Sequence, residues 1–242
     1  MAELLANDEV QRLLLLNSDG LLYAIWETLY STVLATLFSY LIGLPLGVLL
    51  VAGERDSVAP LPPAVMRVLN FIINILRSVP FLILMVMVIP LVVAAFPFVA
   101  RLVEGSIREV DKGMLEAAQS MGCSPFQIIT KVLLPESRPS LITGFTTAFI
   151  TILSYGAMAG AIGGGGLGSM ALMLGYQRRM YIVMYVSVLV LVILVQIFQT
   201  VGTHMAVRLD RRITDKEEGR RRRKDAKAKV KKGRRFPYVH NP

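Results

Sequence analysis

The sequence EAAQSMGCSPFQIITKVLLP, residues 116–135, lies within a charged segment, Glu104–Pro139, that has long apolar stretches on both sides. Connections between packed helices are usually short. This one is long, and alanine, glycine and proline occur in it at definite positions. Such a segment at the face of a membrane indicates a docking surface for a partner in the water.

The flanking stretches are apolar enough to lie in a membrane. The chain is 54% hydrophobic and 18% charged, with a mean hydropathy of +0.58, which excludes an ordinary soluble domain. Because a bilayer core requires about 20 apolar residues in a helix, the predicted fold is all-α, a polytopic bundle of about five transmembrane helices. The predicted spans are Leu21–Ala52, Val65–Ile89, Leu91–Val103, Leu141–Ile162 and Tyr181–Met205.

The third predicted span is short. As a helix of about thirteen residues, Leu91–Val103 rises only ~20 Å, whereas one helix over Val65–Val103 would be nearly 60 Å long. Either Leu91–Val103 is re-entrant or the chain lacks residues near Val86–Leu91, and we favour the second interpretation. It predicts a chain break or an abnormally long peptide link between Val86 and Leu91.

Charge sets the predicted orientation. The net charge is +9, and the basic residues are concentrated in a tail, residues 208–242. The positive-inside rule places this tail in the cytoplasm. Five crossings then place the acidic N-terminal segment, residues 1–20, outside, and Glu104–Pro139 on the cytoplasmic side of the transmembrane domain, residues 21–207. The tail is expected to bind anionic lipid, at ~1 kcal/mol per basic residue, rather than nucleic acid.

The charged segment has the local signals of two helices joined by a tight turn. Apolar residues at helical spacing predict a helix over Asp111–Met121. Gly122 is expected to end it in the left-handed conformation. Ser124 is the predicted N-cap of the second helix, with Pro125 as its first residue and Gln127 completing a capping box.

The second helix is more apolar than a solvated loop requires, and Pro135 and Pro139 are expected to stop it. Its apolar residues are Phe126, Ile129, Val132 and Leu133. Some must pack on the membrane helices, and the others would insert into a partner's groove. The alternative is a cytoplasmic cap that has no partner.

The spacing Glu116-Ala117-Ala118-x3-Gly122-x9-Val132-x-Leu134-Pro135 resembles the EAA motif of permease subunits of ABC importers, although Val132 stands where isoleucine is usual. Residues 74–81 and 154–168 extend the resemblance, which is greatest to permeases of methionine importers. The chain departs from that family in its long basic tail. It is also shorter between the second and third spans, by about twenty residues, the length of one span.

The resemblance implies a homodimer of five-helix subunits of the type I importer kind in the bacterial inner membrane. A cytoplasmic ATPase dimer would bind ATP and Mg²⁺ and receive the loop, and a periplasmic or lipid-anchored binding protein would deliver methionine, D- or L-. This chain would bind no cofactor and would not be an enzyme. The alternatives are a permease for another amino acid or a small polar solute such as a betaine, and a channel or anchor without an ATPase.

The resemblance also assigns roles within the loop. Glu116 would anchor the loop helices through backbone N–H or basic groups, Ala117 and Ala118 would permit close helix contact, and Gly122 would set the angle. Phe126 and Ile129 would enter the ATPase groove. The full predicted coupling set is Glu116, Ala117, Ala118, Gly122, Ser124, Pro125, Phe126, Ile129, Leu134 and Pro135.

The span Leu141–Ile162 is rich in small and hydroxyl residues and is the predicted translocation helix. Gly156 and Gly160, four residues apart, favour close helix packing. The resemblance places Met158 at a central constriction between two subunits. The predicted path residues are Ser154, Tyr155, Gly156, Met158 and Gly160.

Two further features have alternative interpretations. Arg77 is costly in lipid and is expected to face the bundle interior, as a structural ion pair rather than a substrate contact. Residues 163–168 formally contain G-x-G-x-x-G, but no strand precedes them and no lysine follows, which argues against nucleotide binding and favours a flexible hinge. With no nucleotide-binding motif in the chain, ATP hydrolysis must come from a partner. The two histidines, His204 and His240, are isolated, so a metal site is not expected.

Overall fold

The computed structural model describes residues 20–55, 57–80, 83 and 91–209. This part of the chain is helical and contains no strand, as predicted. The long helices are α1 Leu21–Ala52, α2 Pro63–Ser78, α3 Leu91–Arg108, α6 Arg138–Ala159 and α8 Tyr181–Leu209. The short helix α4 is Lys112–Ser120, and α5 winds without a break through Pro125–Ile128, a π-helical Ile129–Leu133 and Leu134–Glu136. A 3₁₀ turn, Gly160–Ile162, follows α6, and α7 consists of Gly166–Ser169 and a π-helical Met170–Gln177.

Three described helices are long and apolar enough to cross a membrane: α1, α6 with its 3₁₀ turn, and α8. The helix α1 has the predicted bounds and continues through Pro45 to its end. The predicted second span corresponds to α2, which ends at Ser78 after 16 residues.

The third predicted span is longer than the sequence indicated. The helix α3 continues past Val103 to Arg108 and has 18 residues, which gives a rise of about 27 Å. The prediction is wrong at this end because the charge of Glu104 indicates the start of a solvated loop, whereas its carboxylate is buried and paired. The expected break between Val86 and Leu91 lies outside the described residues, apart from Leu91 itself.

Close contact between α1 and α3 forms the centre of the bundle. A Cβ at Gly43 would lie 2.7 Å from Val99 Cγ1, and one at Gly47 would lie 2.6 Å from Val103 Cβ. Since a side chain at either position would collide with α3, these glycines permit the two helices to approach closely.

The same core extends out of the bundle into the loop between α3 and α6. Val99, Val103 and Ile107 of α3 pack in one cluster with Ala148 and Ile152 of α6, and this cluster continues to the loop helices. Its members in this loop are Val110, Ala118, Ile128 and Leu133, all buried, with Leu115, Cys123, Ile129 and Val132 partly buried against it. The loop helices are therefore continuous with the bundle and are positioned by it.

Candidate coupling loop and translocation path

The predicted helix–turn–helix is present, and local side chains hold its ends. Asp111 accepts a hydrogen bond from the Gly113 amide at 2.6 Å and caps α4. Gly122 has φ +76°, the left-handed conformation expected of it. Ser124 and Gln127 form the predicted capping box, in which the Gln127 amide donates to Ser124 Oγ at 3.4 Å and the Ser124 amide donates to Gln127 Oε1 at 2.9 Å.

The predicted end of the second helix is wrong. The helical winding continues through Pro135 to Glu136, and Pro139 lies in the first turn of α6. A proline at the start of a helical piece lacks only an N–H group that would have no partner there. Pro135 is the second residue of Leu134–Glu136, which follows the π turn Ile129–Leu133, so it lies within the winding, and the helix ends one residue later at Glu136.

The predicted coupling residues divide between two sides of the loop. Glu116, Ala117, Gly122, Ser124, Pro125 and Phe126 are exposed or nearly so, Ala118 is buried, and Ile129, Leu134 and Pro135 are half-buried. Ile129 lies against the bundle core, so the prediction that it enters a partner's groove is not supported within this subunit. Of the two alanines expected to permit close helix contact, Ala118 is buried and Ala117 is exposed in this subunit.

Three large apolar side chains of the loop are exposed: Phe126 at 74%, Met121 at 76% and Met114 at 41%. We call these three residues the outer apolar face. The sequence pattern singles out Phe126 but indicates both methionines only as part of the helical periodicity. The position of the two methionines could have indicated their exposure. Both lie on the loop, and neither belongs to the inward side of α4, which consists of Leu115 and Ala118.

Glu116 does not join the two loop helices in this subunit. Its side chain is exposed, and among the described residues no hydrogen bond to its carboxylate is formed. It lines a cavity of about 470 Å³ between α4 and the turn after α1, together with Glu54, Arg55 and Lys112. Its neighbours across the cavity are therefore basic groups and another carboxylate, instead of backbone N–H groups of the second helix.

A buried ion network, missed in the sequence, ties α3 to the rest of the subunit. Glu104 is 8% exposed and its carboxylate is 2.5 Å from Arg101 Nη1 and 2.9 Å from Arg108 Nη2. Arg108 also pairs with Glu54, in the turn after α1. A buried carboxylate is tolerated when it is paired and hydrogen-bonded, as here.

Arg101 extends this network to α2. Its Nη2 donates to Asn70 Oδ1 at 2.8 Å and to Asn74 Oδ1 at 3.0 Å. Ile73 of α2 also packs in a buried cluster with Ala100 of α3, so polar and apolar contacts together attach α2 to α3.

Arg77 is placed differently from the prediction. It is exposed in the last turn of α2 and forms no ion pair with any described residue, so the expected structural pair is not found in this part of the chain. It lines a cavity of about 300 Å³ with Phe98 of α3 and Tyr155 of α6.

One side of α6 is exposed and lined by hydroxyl groups, and Met158 lies at its far end. Met158 is 51% exposed, and Ser154, one turn earlier, is exposed as well. The hydroxyl of Ser154 donates to the Ile150 carbonyl at 3.0 Å, and that of Thr151 donates to the Thr147 carbonyl at 2.8 Å. Each hydroxyl proton is thus donated to a hydrogen bond within the helix, and each hydroxyl oxygen can still accept a hydrogen bond from another group.

The two glycines of α6 and its 3₁₀ turn have different surroundings. A Cβ at Gly160 would overlap the backbone of Gly168 and Ser169, whereas a Cβ at Gly156 would meet nothing within 4 Å. Close packing is therefore present at Gly160, while Gly156 has no such neighbour in the described subunit.

The glycine-rich segment after α6 is not a loose hinge. The Gly166 amide donates to Glu27 Oε2 at 2.7 Å and the Leu167 amide donates to Thr28 Oγ1 at 2.8 Å. Gly168 and Leu167 are buried. The hinge prediction is wrong because a helix distant in sequence, α1, fixes this segment through side chains of Glu27 and Thr28.

Comparison with known proteins agrees with this architecture. The family model described as the binding-protein-dependent transport system inner membrane component matches residues 18–215. The chain is 44% identical to the probable D-methionine transport system permease protein MetI of Vibrio cholerae, over 81% of this chain and 95% of that one. It is 42% identical to the methionine import system permease protein MetP of Bacillus subtilis, over 62% of this chain and 75% of that one.

A solved structure has the same fold. The MetNI methionine ABC transporter in inward-facing conformations contains a chain that is 37% identical, with a TM-score of 0.74, over 78% of this chain and 95% of that one. The all-α membrane bundle with a helical loop is thus the fold of a transport permease. The chain belongs to the family of binding-protein-dependent transport system inner membrane components. It is accordingly a multi-pass membrane transport subunit and not itself an enzyme.

The alignments also bear on the length of the chain. The Vibrio cholerae alignment is 215 positions long but takes up 81% of the 242 residues here, so about twenty aligned positions have no residue in this chain. The number of missing residues agrees with the number, about twenty, by which the chain was expected to be shorter between the second and third spans.

Proposed function

We propose that this chain is the permease subunit of an ATP-driven methionine importer, fed by a substrate-binding protein and driven by a cytoplasmic ATPase dimer. The relatives' names, with up to 44% identity, support methionine as the cargo. The observation that carries the mechanism is the two-sided loop, whose inner side is part of the bundle core while its outer apolar face is exposed.

In this proposal the outer apolar face, Met114, Met121 and Phe126, docks in a cleft of the ATPase. ATP and Mg²⁺ bind to the ATPase and not to this chain. Closure of the ATPase pair moves α4 and α5, and because Ala118, Ile128 and Leu133 are buried in the bundle core, the membrane helices must move with them. The caps and Gly122 keep the angle between α4 and α5 fixed during that motion.

The path is proposed to run along the exposed side of α6, where two copies of the chain meet. Met158 would narrow it, and Ser154 would offer a polar oxygen to a solute that passes. In the proposed dimer these residues face the second copy of the chain. This explains why a side of α6 that is lined by hydroxyl groups is exposed in a single subunit. The proposed topology has the N-terminus in the periplasm and the basic tail in the cytoplasm, in contact with anionic lipid.

The direct test is uptake of radiolabelled L- and D-methionine into proteoliposomes that contain this chain with its ATPase and binding protein. We expect uptake that requires ATP on the ATPase side and stops with a hydrolysis-deficient ATPase. Absence of labelled methionine uptake, with ATP-dependent uptake of labelled betaine or another labelled amino acid in the same proteoliposomes, would assign a different cargo. Uptake without ATP would indicate a channel and would contradict the proposal.

Docking by the loop is tested with a matched pair of variants. We expect Phe126→Ala to reduce co-purification of the ATPase while leaving thermal stability nearly unchanged, because its side chain is 74% exposed. Ile128→Ala, two residues along and 1% exposed, should lower stability by about 2–5 kcal/mol instead. Full recovery of the ATPase with Phe126→Ala would argue against this docking surface.

A further inference from the structure

Two side chains of α1 occupy the start of α7. The Gly166 amide donates to Glu27 Oε2 at 2.7 Å, and the Leu167 amide donates to Thr28 Oγ1 at 2.8 Å. The Thr28 hydroxyl in turn donates to the Ala24 carbonyl at 2.8 Å. The first N–H groups of a helix have no partner within it, so these bonds satisfy groups that would otherwise be unpaired. The Glu27 bond has a carboxylate as acceptor, which makes it one of the stronger kinds.

The segment fits closely around these two side chains. Gly165 and Gly166 have φ +76° and +69°, a conformation that strains other residues. A Cβ at Gly166 would lie 2.5 Å from Thr28 Oγ1, and one at Gly165 would overlap the Glu27 carboxylate. The absence of side chains at both positions is therefore what admits Glu27 and Thr28.

The other side of the same segment holds the end of α6. The Gly164 amide donates to the Ala159 carbonyl at 2.9 Å, and Gly160 lies directly against the backbone of Gly168 and Ser169. Met158 immediately precedes Ala159. The segment from Gly160 to Ser169 is thus fixed to α1 on one side and to the last turn of α6 on the other.

Glu27 has no other evident use within the described subunit. It is half-buried in a long apolar helix, a costly place for a carboxylate, and it forms no ion pair with any residue that the structure describes. Its described hydrogen bond is the one to Gly166.

From these contacts we propose that Glu27 is a positioning residue for transport, which holds the glycine-rich segment on α1 and thereby fixes the end of α6 that carries Met158. The inference rests on the proposed function, in which Met158 narrows the path. With the Glu27 acceptor removed, the Gly166 amide loses its partner and the segment is held on α1 less firmly, so the end of α6 shifts more readily and ATP hydrolysis no longer drives uptake efficiently.

The test uses the reconstituted complex with Glu27→Ala, Glu27→Gln and a control, Leu22→Ala, which truncates an exposed side chain on the same helix. The first readout is hydrogen–deuterium exchange in peptides that cover residues 160–169. The second is the ratio of methionine taken up to ATP hydrolysed, which loss of global stability alone would not change in the surviving complex. Glu27→Gln retains an oxygen acceptor and serves as the conservative rescue.

We expect Glu27→Ala to raise exchange at Gly166 by about tenfold, as loss of one hydrogen bond to a charged group implies, and to lower the uptake ratio several-fold. Leu22→Ala should stay within about twofold of the wild type, and Glu27→Gln, which keeps a neutral oxygen acceptor, should fall between the wild type and Glu27→Ala. Unchanged exchange in Glu27→Ala, an unchanged uptake ratio, or equal defects in Glu27→Ala and Glu27→Gln would each overturn the proposal.

If Glu27→Ala yields no folded complex, Thr28→Val is the substitute. It keeps the side-chain shape and removes the acceptor of the Leu167 amide, so exchange at Leu167 must rise and the uptake ratio must fall, or the proposal is wrong. A wild-type complex that hydrolyses ATP but imports no methionine would refute the proposed cargo. In that case exchange in Glu27→Ala and Glu27→Gln still decides whether Glu27 holds the segment.

Discussion

Gly156 and Gly160 provide a matched test of packing at the end of α6, because they are about one turn apart on the same winding. A methyl group at Gly160 would overlap backbone atoms of Gly168 and Ser169, and backbone cannot rotate away as a flexible side chain can. A methyl group at Gly156 would meet nothing within 4 Å. The same substitution is therefore expected to have opposite effects at the two positions.

The magnitudes follow from these surroundings. Overpacking a filled site costs about 1–3 kcal/mol, and a backbone obstacle places Gly160→Ala at or above the upper end of that range. Gly156→Ala replaces glycine inside a helix and should stabilise the subunit by up to about 1 kcal/mol. The two variants should thus differ by roughly 4 kcal/mol, which corresponds to about 10 °C in melting temperature for a chain of this size.

The assay is the fraction of purified complex that stays monodisperse on size-exclusion chromatography after heating, measured in one detergent for both variants and the wild type. We expect Gly160→Ala to melt well below the wild type and Gly156→Ala to melt at or slightly above it. A Gly160→Ala variant as stable as the wild type would refute the close contact of Gly160 with Gly168 and Ser169. A loss in Gly156→Ala as large as that in Gly160→Ala would contradict the expected difference between the two positions and would place Gly156 against another chain of the complex, because nothing in the described subunit opposes a methyl group there.

Three further predictions concern single residues. Glu104→Leu should destabilise the subunit by about 3–5 kcal/mol in the same heating assay, because it removes the buried carboxylate that pairs with Arg101 and leaves that guanidinium with the neutral acceptors of Asn70 and Asn74. Glu109→Leu at an exposed position should cost less than about 0.5 kcal/mol, and equal effects would contradict the ion pairs of Glu104. Gly122→Ala should lower the free energy of unfolding by about 1–2 kcal/mol, since φ is +76° there, and should reduce co-purification of the ATPase. Normal stability would show that the turn tolerates a side chain. Met158→Ala should change the free energy of unfolding by less than about 0.5 kcal/mol, since the side chain is 51% exposed. It should lower the amount of methionine taken up per ATP hydrolysed in proteoliposomes. An unchanged ratio would count against Met158 as the constriction.

Features that depend on neighbours in sequence were predicted correctly. The capping box between Ser124 and Gln127, the left-handed Gly122 and the bounds of α1 all follow from interactions within a few residues or from a continuous apolar run. Local chemistry decides such features, so the order of residues is sufficient to read them. The end of α5 is the exception, because Pro135 lies within the winding that follows the π turn.

Which side of an element faces the core could not be read in the same way. The sequence places Phe126 and Ile129 on one apolar helix and cannot distinguish them. Packing against α3 and α6 makes Ile129 part of the core and leaves Phe126 exposed. A carboxylate is usually exposed, which predicts a solvated Glu104, and only the approach of Arg101 and Arg108 makes its burial tolerable.

By itself, then, the sequence determined an all-α membrane bundle with a capped, two-helix loop, because composition and short-range patterns specify those properties, and the resemblance of residues 116–135 to the EAA motif indicated a permease. Tertiary structure alone decided that Glu27 and Gly166, 139 residues apart in the chain, are joined by a hydrogen bond, and that the glycine-rich segment is fixed and not a hinge. The physical reason is that a hydrogen bond or a close backbone contact between distant residues leaves no periodic signal in either of the two segments that make it.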